Sequence, residues 1–405
     1  MDKFAYFALV LLTFFVPWEN SIVIEGFGSF ARVVGVGTLA LSLFSIAADG
    51  CIRRPHSFHV VALAFVIWSA CTLLWAINFD ATFERTGTYL QVAVLAWLIW
   101  QHARSERRQR VLFGAYVLGA YVTALGTLRN YYLGITMPGT VTRYTASGFN
   151  SNEAAFILVL GIPIAWYLAL TSTRRSTSVV YGCYLLAAIV AVVLTGSRGA
   201  FVSLVVALML IPWSLPRLSR RARMSSTVLV VAAMSAASAL APRATYERLE
   251  STAQAIEQGD FGGREALWNA GVELFLERPI GGVGAGGYLY ATRPLGFPSV
   301  SHQTFLEVLT GQGLVGLLLF LGIFIATFHK IPRMPSLERK FWIVLSATLL
   351  IGLLPRTYDD RKPLWFVLGI AAAQSAFVRR DARMSSLPNT SKAEGTGTAD
   401  RKQCA

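Results

Sequence analysis

Long apolar stretches recur along the whole chain and are separated by short polar segments. A helix needs about 20 mostly apolar residues to cross the hydrocarbon core of a bilayer. Roughly twelve stretches approach that length, several of them short or interrupted, at residues 4–24, 29–48, 58–77, 84–101, 111–133, 153–170, 179–196, 199–213, 226–241, 304–328, 341–355 and 364–378. The pattern predicts an all-α integral membrane protein with about 12 transmembrane helices.

The polar segments divide the chain into four parts. Residues 1–241 hold predicted transmembrane helices 1–9, and residues 304–378 hold helices 10–12. Between them, 242–303 is the longest non-apolar segment inside the chain. Residues 379–405 are polar and rich in Ser, Thr and Gly, a composition that predicts a disordered tail.

Composition narrows the function classes. The 405 residues are 54% hydrophobic and 14% charged, whereas soluble domains are about 25% charged. Taken alone, the net charge of +14 is typical of a polycation or a nucleic-acid binder. Neither class fits apolar runs of this length, so we expect membrane lipids and no nucleic acid among the partners.

The charges alternate from one polar segment to the next. If the N-terminus is cytoplasmic, the inner segments carry 23 basic and 7 acidic residues, a net of +16, while the outer segments carry 12 basic and 15 acidic residues, a net of −3. Arg32 lies within the second stretch. Cytoplasmic loops of membrane proteins are enriched in Lys and Arg. This bias predicts an even number of helices, both termini in the cytoplasm, and 242–303 on the outer face.

Basic residues on the outer face need another explanation, and Arg198 is the most prominent. It lies in TGSRGA (195–200), between two apolar stretches with almost no loop. An Arg at the bilayer centre costs about 2.5–3.5 kcal/mol on insertion scales, and less near the interface. Arg198 is therefore either a turn residue that reaches the membrane surface or an anion contact just below it.

The outer loop contains a predicted amphipathic helix followed by a glycine-rich segment. In 264–275 (REALWNAGVELF), Leu267, Ala270, Gly271, Leu274 and Phe275 share one helical face, which predicts a helix lying across the outer mouth of the bundle. Residues 282–287 fit G-x-G-x-x-G, but no strand–turn–helix unit surrounds them, which excludes a dinucleotide site. We expect a flexible or tightly turned loop whose backbone N–H groups face an anion.

His302 is the only one of five histidines placed on the outer face. It stands where the outer loop becomes a membrane helix, with Ser301 as the expected N-cap. A lone histidine is often structural. Its neighbouring arginines and polar loop favour the alternative, a general base.

An acidic pair, Asp359 and Asp360, also lies on the outer face. Mg²⁺ usually takes one or two carboxylates together with substrate phosphates. Arg356, Arg361 and Lys362 surround the pair in sequence, so salt bridging or a solvated turn is favoured over a metal site.

Several motifs together resemble the O-antigen ligase and polymerase superfamily of bacterial glycan enzymes. The matching pieces are TGSRGA (195–200), GREALW (263–268), RPIGGVGAGGY (278–288), SHQTFLE (301–307), GQGLVG (311–316) and, more weakly, GFNSNEA (148–154). Their order and their outer placement carry the resemblance over about 145–316. One departure is Gln303, where family members usually have Asn after the His.

The resemblance implies a GT-C-like glycosyltransferase of the bacterial inner membrane, with its active site facing the periplasm. Such enzymes take a glycan from undecaprenyl pyrophosphate. Ligases attach it to the lipid A–core oligosaccharide, and polymerases attach it to another repeat unit. The length, the single long outer loop and the combination of arginines with a histidine favour a ligase, and a polymerase is the main alternative. Another glycan- or protein-glycosylating member of the superfamily is a further alternative, and a glycan transporter or flippase is the least favoured.

The residues of this chain fit that chemistry. We expect His302 to deprotonate the acceptor hydroxyl, and Arg198, Arg264 and Arg143 to bind the donor pyrophosphate. Asn152 and Gln303 are candidate substrate contacts. The resulting mechanism is inverting and uses neither a metal nor a cofactor.

Overall fold

Helices make up almost all of the regular structure. A computed structural model describes residues 1–26, 28–140, 142–248, 250 and 264–385. The α-helices that lie wholly within these residues are α1 (Asp2–Phe15), α2 (Phe30–Asp49), α3 (Ser57–Cys71), α4 (Phe79–His102), α5 (Glu106–Tyr132), α6 (Ser151–Thr171), α7 (Arg175–Thr195), α8 (Arg198–Leu208), α9 (Leu210–Ser214), α10 (Arg220–Leu240), α11 (Arg264–Glu277), α12 (Tyr288–Thr292), α13 (Thr304–Phe328), α14 (Ser336–Leu353) and α15 (Lys362–Ser385). One short antiparallel hairpin pairs β1 (Val23–Ile24) with β2 (Gly28–Ser29). The all-α class is confirmed.

Each of the twelve predicted apolar stretches coincides over most of its length with one or two helices. Within the described residues, nine spans are long and apolar enough to cross a membrane, and they include every predicted stretch except those on α4, α14 and α15. These three helices are less apolar because charged residues occupy their ends, as in DATFER at the start of α4 and LERK at the start of α14. A multi-pass all-α membrane protein is therefore established, and the total of twelve spans stays a prediction.

Two predicted boundaries were wrong. The first stretch was expected to run as one helix over 4–24, but α1 ends at Phe15 and continues as a 3-10 turn over Val16–Ser21, followed by the hairpin. Pro17 opens that turn, and a proline cannot donate the backbone hydrogen bond that a continuing α-helix needs. At the other end, α15 runs to Ser385, so the predicted tail is helical over 379–385. The rest of that tail, 386–405, lies outside the described residues.

The connecting segments meet at two ends of the bundle. At one end, which we call the site end, Lys362 pairs with Glu19, the Asn20 Nδ2 atom donates to Glu153 over 3.5 Å, and the Ser21 hydroxyl donates to the Ser147 carbonyl over 3.0 Å. These contacts join segments far apart in sequence. Among the described residues, the site end comprises 16–26, 28–29, 72–78, 133–140, 142–150, 196–197, 264–303 and 354–361.

The opposite end is held by a separate set of polar contacts. Asp2 accepts from Arg108 over 2.5 Å and from His102 over 2.9 Å. Further along this end, the Arg53 guanidinium stacks on the Trp100 ring at 3.7 Å. The histidines other than His302 lie at this end, in agreement with the predicted alternation of loops.

Helix α13 is interrupted two turns after it begins. Gly313 has φ 67° and ψ −168°, far from helical values. Next to this break, the Thr310 and Gly311 carbonyls accept hydrogen bonds from Val283 and Gly284 at 3.0 and 2.8 Å. The Leu314 N–H donates to the Pro279 carbonyl over 2.8 Å. The glycine-rich loop thus supplies the backbone partners that the broken helix has lost, which a break within a membrane requires.

These hydrogen bonds correct one expectation about the glycine-rich loop. The N–H groups of Gly282, Val283, Gly284 and Gly287 all donate to backbone carbonyls, and that of Ala285 donates to the Thr72 hydroxyl. Most of the loop is buried. Its amides are therefore committed to packing, and the predicted anion-facing loop is wrong.

The break in α13 predicts that replacing Gly313 with a residue that has a side chain destabilises the protein. A Cβ atom at this position would lie 2.1 Å from the Ile280 carbonyl oxygen, in a backbone conformation that side chains rarely adopt. We expect Gly313→Ala to lower the free energy of unfolding by roughly 2–5 kcal/mol, measured by thermal unfolding in detergent micelles. Gly37→Ala is the control, because its Cβ meets no atom within 4 Å. Equal stability of the two variants would contradict the described loop packing.

Candidate active site

A polar cavity of about 280 Å³ opens at the site end, and we call it the site cavity. Its walls come from α4, from the segment leading into α6, from the residues before α13 and from the segment before α15. The lining residues are Arg85, Met137, Arg143, Asn150, Ser151, Asn152, Glu153, Val300, His302, Arg356, Thr357, Tyr358, Asp360 and Arg361. Three of the predicted site residues, His302, Arg143 and Asn152, are thus brought together.

His302 reaches the cavity from a turn of unusual backbone geometry. Its φ of 51° is the one positive value among the described residues other than glycine. The preceding residue, Ser301, fixes the turn: its N–H donates to Glu307 over 3.0 Å and its carbonyl accepts from the Trp268 indole over 2.9 Å. A left-handed conformation persists in a non-glycine residue only where its surroundings enforce it. The enforced turn directs the imidazole to the cavity.

Gln303, the residue after His302, was expected to contact substrate, but its side chain caps a helix instead. Gln303 is the N-cap of α13, and its side-chain oxygen accepts from the Leu306 N–H. The expected N-cap, Ser301, was therefore wrong, because its hydroxyl donates instead to the Gln303 carbonyl. The Gln303 amide serves the start of the helix and is not among the groups that line the cavity.

The surroundings of His302 favour its neutral form. Its Nε2 atom lies 3.3 Å from the Ser299 hydroxyl. Burial lowers the pKa of His302 from its usual value of 6.5, and the nearby Arg264 guanidinium lowers it in the same direction. A neutral imidazole at physiological pH is the form that accepts a proton.

Arg143 is anchored by two hydrogen bonds on the opposite wall. Its Nε atom donates to the Thr195 carbonyl over 2.9 Å, and its Nη2 atom donates to the Asn152 amide oxygen over 3.0 Å. Burial lowers the pKa of Arg143 to about 10, and the positive charges of Arg248, Arg264 and Arg198 act in the same direction. Four arginines thus lie close enough to one another for their charges to interact.

Arg264 and Arg198 stand beside the cavity rather than among its lining groups. Arg264 begins α11 and donates to the Pro355 carbonyl over 3.1 Å. Arg198 is the first residue of α8 and is exposed. Burial lowers the pKa of Arg264, and the positive charge of Arg198 lowers it further. The two guanidinium groups therefore lie close enough to interact. Gly199 lets α8 approach Pro355, since a Cβ there would lie 2.5 Å from the Pro355 ring.

The acidic pair is neutralised by arginines. Arg85 contacts Asp359 at 3.1 Å and Asp360 at 3.2 Å, and Arg361 contacts Asp360 at 3.4 Å and Glu153 at 3.6 Å. The salt-bridge interpretation is confirmed, with Arg85 as a partner that sequence reasoning missed. Among the residues that the structure describes, no cluster of three or more His, Cys, Asp or Glu could hold a metal ion.

Two of the expected partners of the acidic pair point elsewhere. Arg356 donates to the Gly352 carbonyl over 2.6 Å and stacks on the Phe156 ring at 4.2 Å, and Lys362 pairs with Glu19. Burial lowers the pKa of Arg356 to about 10. Its place in the cavity wall was also missed, although ionisable residues near predicted spans are a general signal of functional sites.

Comparison with known proteins agrees with this arrangement. Residues 183–321 match a family described as O-antigen ligase. The match supports membership of the O-antigen ligase family. The match includes Arg198, Arg264 and His302, whereas Arg143 and Asn152 precede it. No curated protein matches the chain.

The family match indicates the general class of activity. The family indicates a glycosyltransferase-like enzyme of the O-antigen and lipopolysaccharide pathway that works on lipid-linked glycans. Together with the candidate membrane spans, it also indicates a multi-pass protein of the bacterial inner membrane. The site cavity brings together histidine, arginine and carboxylate groups of this chain.

The turn at His302 yields a prediction for Glu307, which is 3% exposed. Glu307→Ala leaves the buried Ser301 N–H without its acceptor, at a cost of about 1–3 kcal/mol. We expect faster hydrogen exchange in peptides covering 299–303, measured by mass spectrometry. Glu307→Gln retains an acceptor oxygen and is expected to exchange more slowly than Glu307→Ala. Glu273→Ala, on the exposed face of α11, is the matched control, and equal exchange in all three variants would contradict the assigned role.

Proposed function

We propose that the protein is an O-antigen ligase that transfers a glycan from undecaprenyl pyrophosphate to a sugar hydroxyl of the lipid A–core oligosaccharide. One observation carries the proposal: the His302 imidazole and the Arg143 guanidinium line the same cavity, with Arg264 and Arg198 beside it. A base and several phosphate-binding cations at one site are what this transfer needs.

The proposed reaction is a single displacement at the anomeric carbon of the donor sugar. The acceptor oxygen forms a bond to that carbon while the bond from the carbon to the pyrophosphate oxygen breaks. The acceptor proton passes to a nitrogen of His302, and the lipid pyrophosphate leaves with the electron pair of the broken bond. Attack opposite the leaving group inverts the anomeric centre.

The arginines are proposed to stabilise the charge that develops on the leaving group. A guanidinium presents paired N–H donors that match phosphate oxygens. Arg143 is the fixed member, because it is anchored to Thr195 and Asn152. Arg264 and Arg198 complete the set from α11 and α8. The cation cluster makes the proposed mechanism independent of a metal or an organic cofactor.

The orientation of the site is part of the proposal. The positive-inside bias supports a cytoplasmic location for the opposite end and a periplasmic location for the site end. With the N-terminus inside, the outer segments have a net charge of −3. The arginines at the site end are therefore exceptions to the bias, which supports a functional reason for their presence.

A polymerase is the second candidate, since it would use the same donor and the same displacement. The single long outer segment, 242–303, favours a ligase. A transporter is less favoured, although the break in α13 is a feature that transporters share. Here the break is filled by the backbone of 279–284, and the polar groups gather at the site end.

His302→Ala is expected to reduce the initial rate of transfer by about 10²–10⁴-fold, the usual contribution of a general base. The assay uses purified protein with lipid-linked glycan and rough lipopolysaccharide. Because the pKa of His302 is lowered, the wild-type rate should hold as the pH falls from 7.5 to 6.5 and decline only at lower pH. His329→Ala is the control, since His329 contacts only carbonyls of its own helix at the opposite end. Full activity of the His302→Ala variant, in protein that is correctly inserted in the membrane, would show that His302 is not the general base.

Lipopolysaccharide profiles of a deletion strain separate the candidates. Loss of a ligase leaves core without O-chain while polymer accumulates on undecaprenyl pyrophosphate, and this is the expected result. Core capped by a single repeat indicates a polymerase instead. Lipid-linked units stranded on the cytoplasmic side indicate a transporter.

A further inference from the structure

A second cavity, of about 290 Å³, opens among α1, α2 and α4, and we call it the lateral groove. Its wall is mostly aliphatic and includes Leu12, Val36, Leu90 and Val94. Helices α1 and α2 belong to candidate membrane spans, so a groove between them faces hydrocarbon. An apolar groove of this kind accommodates a lipid chain.

The polar groups of the lateral groove are Arg32, Gln91 and Lys362. Arg32 lies in the first turn of α2 and is exposed, and within the described part of the chain it makes no hydrogen bond or ion pair. Lys362 pairs with Glu19, so one carboxylate is already present beside it. A cation in a span is costly without an anion or an interface to receive it. Arg32 and Lys362 together with Glu19 leave one net positive charge beside an aliphatic wall, which complements the negative charge of a phosphate-bearing lipid.

The lateral groove adjoins the site cavity without being part of it. Arg361 lines the cavity and the next residue, Lys362, lines the groove. The proposed donor-binding arginines lie on other elements, because Arg198 begins α8, Arg264 begins α11 and Arg143 is bonded to the end of α7. None of these elements contributes a residue to the groove. The basic residues near the site cavity therefore belong to two separate sets of elements. One set comprises α8, α11 and the segment bonded to α7, and the other comprises α2 and α15 at the lateral groove.

The chemistry of the two substrates decides which lipid the groove fits. In the donor, the pyrophosphate is bonded directly to the reacting anomeric carbon, so it must lie inside the site cavity. In the acceptor, the lipid phosphates are separated from the reacting hydroxyl by the sugars of the core. They must therefore be held outside the cavity.

We propose that the lateral groove binds the acceptor lipid, with a hydrocarbon chain along the aliphatic wall and a phosphate at Arg32 and Lys362. The inference rests on the proposed ligase function and assigns the second substrate of the same site. Donor and acceptor then reach His302 from different sides of the cavity.

The test compares a variant that fills the groove with one that does not. Gly35 lines the groove, and a Cβ there would lie 3.8 Å from Leu12, so a side chain can start at this position without a clash and Gly35→Leu is expected to fill part of the cavity. Gly37→Leu is the control on the same helix, because a Cβ at Gly37 meets no atom within 4 Å. Arg32→Ala removes one cation, with Arg54→Ala at the opposite end as its control. Initial rates are measured in phosphatidylcholine nanodiscs, with rough lipopolysaccharide and the lipid-linked donor varied in turn.

We expect Gly35→Leu and Arg32→Ala to raise the KM for lipopolysaccharide by about tenfold, equivalent to one charge-assisted hydrogen bond or less. The KM for the donor and the maximal rate should stay unchanged, as should all constants of both controls. A raised donor KM would overturn the inference and assign the groove to the donor. Unchanged constants in both groove variants would also overturn it and leave an ordinary bilayer lipid as the occupant. Absence of transfer in the wild type would instead refute the ligase function itself.

Discussion

The hydrogen-bonding requirement of backbone groups in a membrane is the constraint on which this structure depends. Helix α13 breaks at Gly313, and the carbonyls of Thr310 and Gly311 would be left unpaired in an apolar environment. The loop from Pro279 to Gly284 supplies the missing partners. Its glycines are necessary because a Cβ at Gly282 would lie 2.5 Å from the Thr310 oxygen. The broken helix and the outer loop are therefore one structural unit.

The position of the candidate site follows from that unit. The hydrogen bonds between the loop and α13 also position the end of α11, which leads into that loop. In turn, the Trp268 indole of α11 donates a hydrogen bond to the Ser301 carbonyl. The enforced turn at His302 comes directly before α13. Glu307, one turn inside the helix, receives the Ser301 N–H. A single set of backbone and side-chain hydrogen bonds thus links the break in the helix to the orientation of the imidazole.

The charges at the site end separate into two groups with different roles. Asp359, Asp360 and Glu153 contact Arg85 and Arg361 at 3.1–3.6 Å, and these two cations offset most of the negative charge in the cavity wall. Arg143 and Arg264 instead donate to neutral oxygens. Their positive charge is available to an anion such as a pyrophosphate. Arg32 belongs to neither group, because it lies on α2 and lines the lateral groove.

The sequence was sufficient for the helices and the loop helix α11, because hydrophobic periodicity encodes them directly. Charge alternation placed His302 and Arg143 on the outer face, and the expectation that they share a site with Asn152 came from the family resemblance. The sequence was insufficient where long-range contacts decide the outcome. Nothing local indicates that the amides of 282–285 bond to α13 and Thr72, or that Arg85 pairs with residues more than 270 positions away. The N-cap at Gln303 was missed because Ser301, the more usual capping residue, is drawn into the turn by Glu307 and Trp268.

The most direct test of the central claim is a structure of the protein in a nanodisc with a non-transferable pyrophosphate-linked glycan lipid. We predict pyrophosphate density in the site cavity, within hydrogen-bonding distance of Arg143 and beside Arg264, with the anomeric carbon facing His302. Pyrophosphate density outside the cavity, or bound through a metal ion to Asp359 and Asp360, would contradict the account.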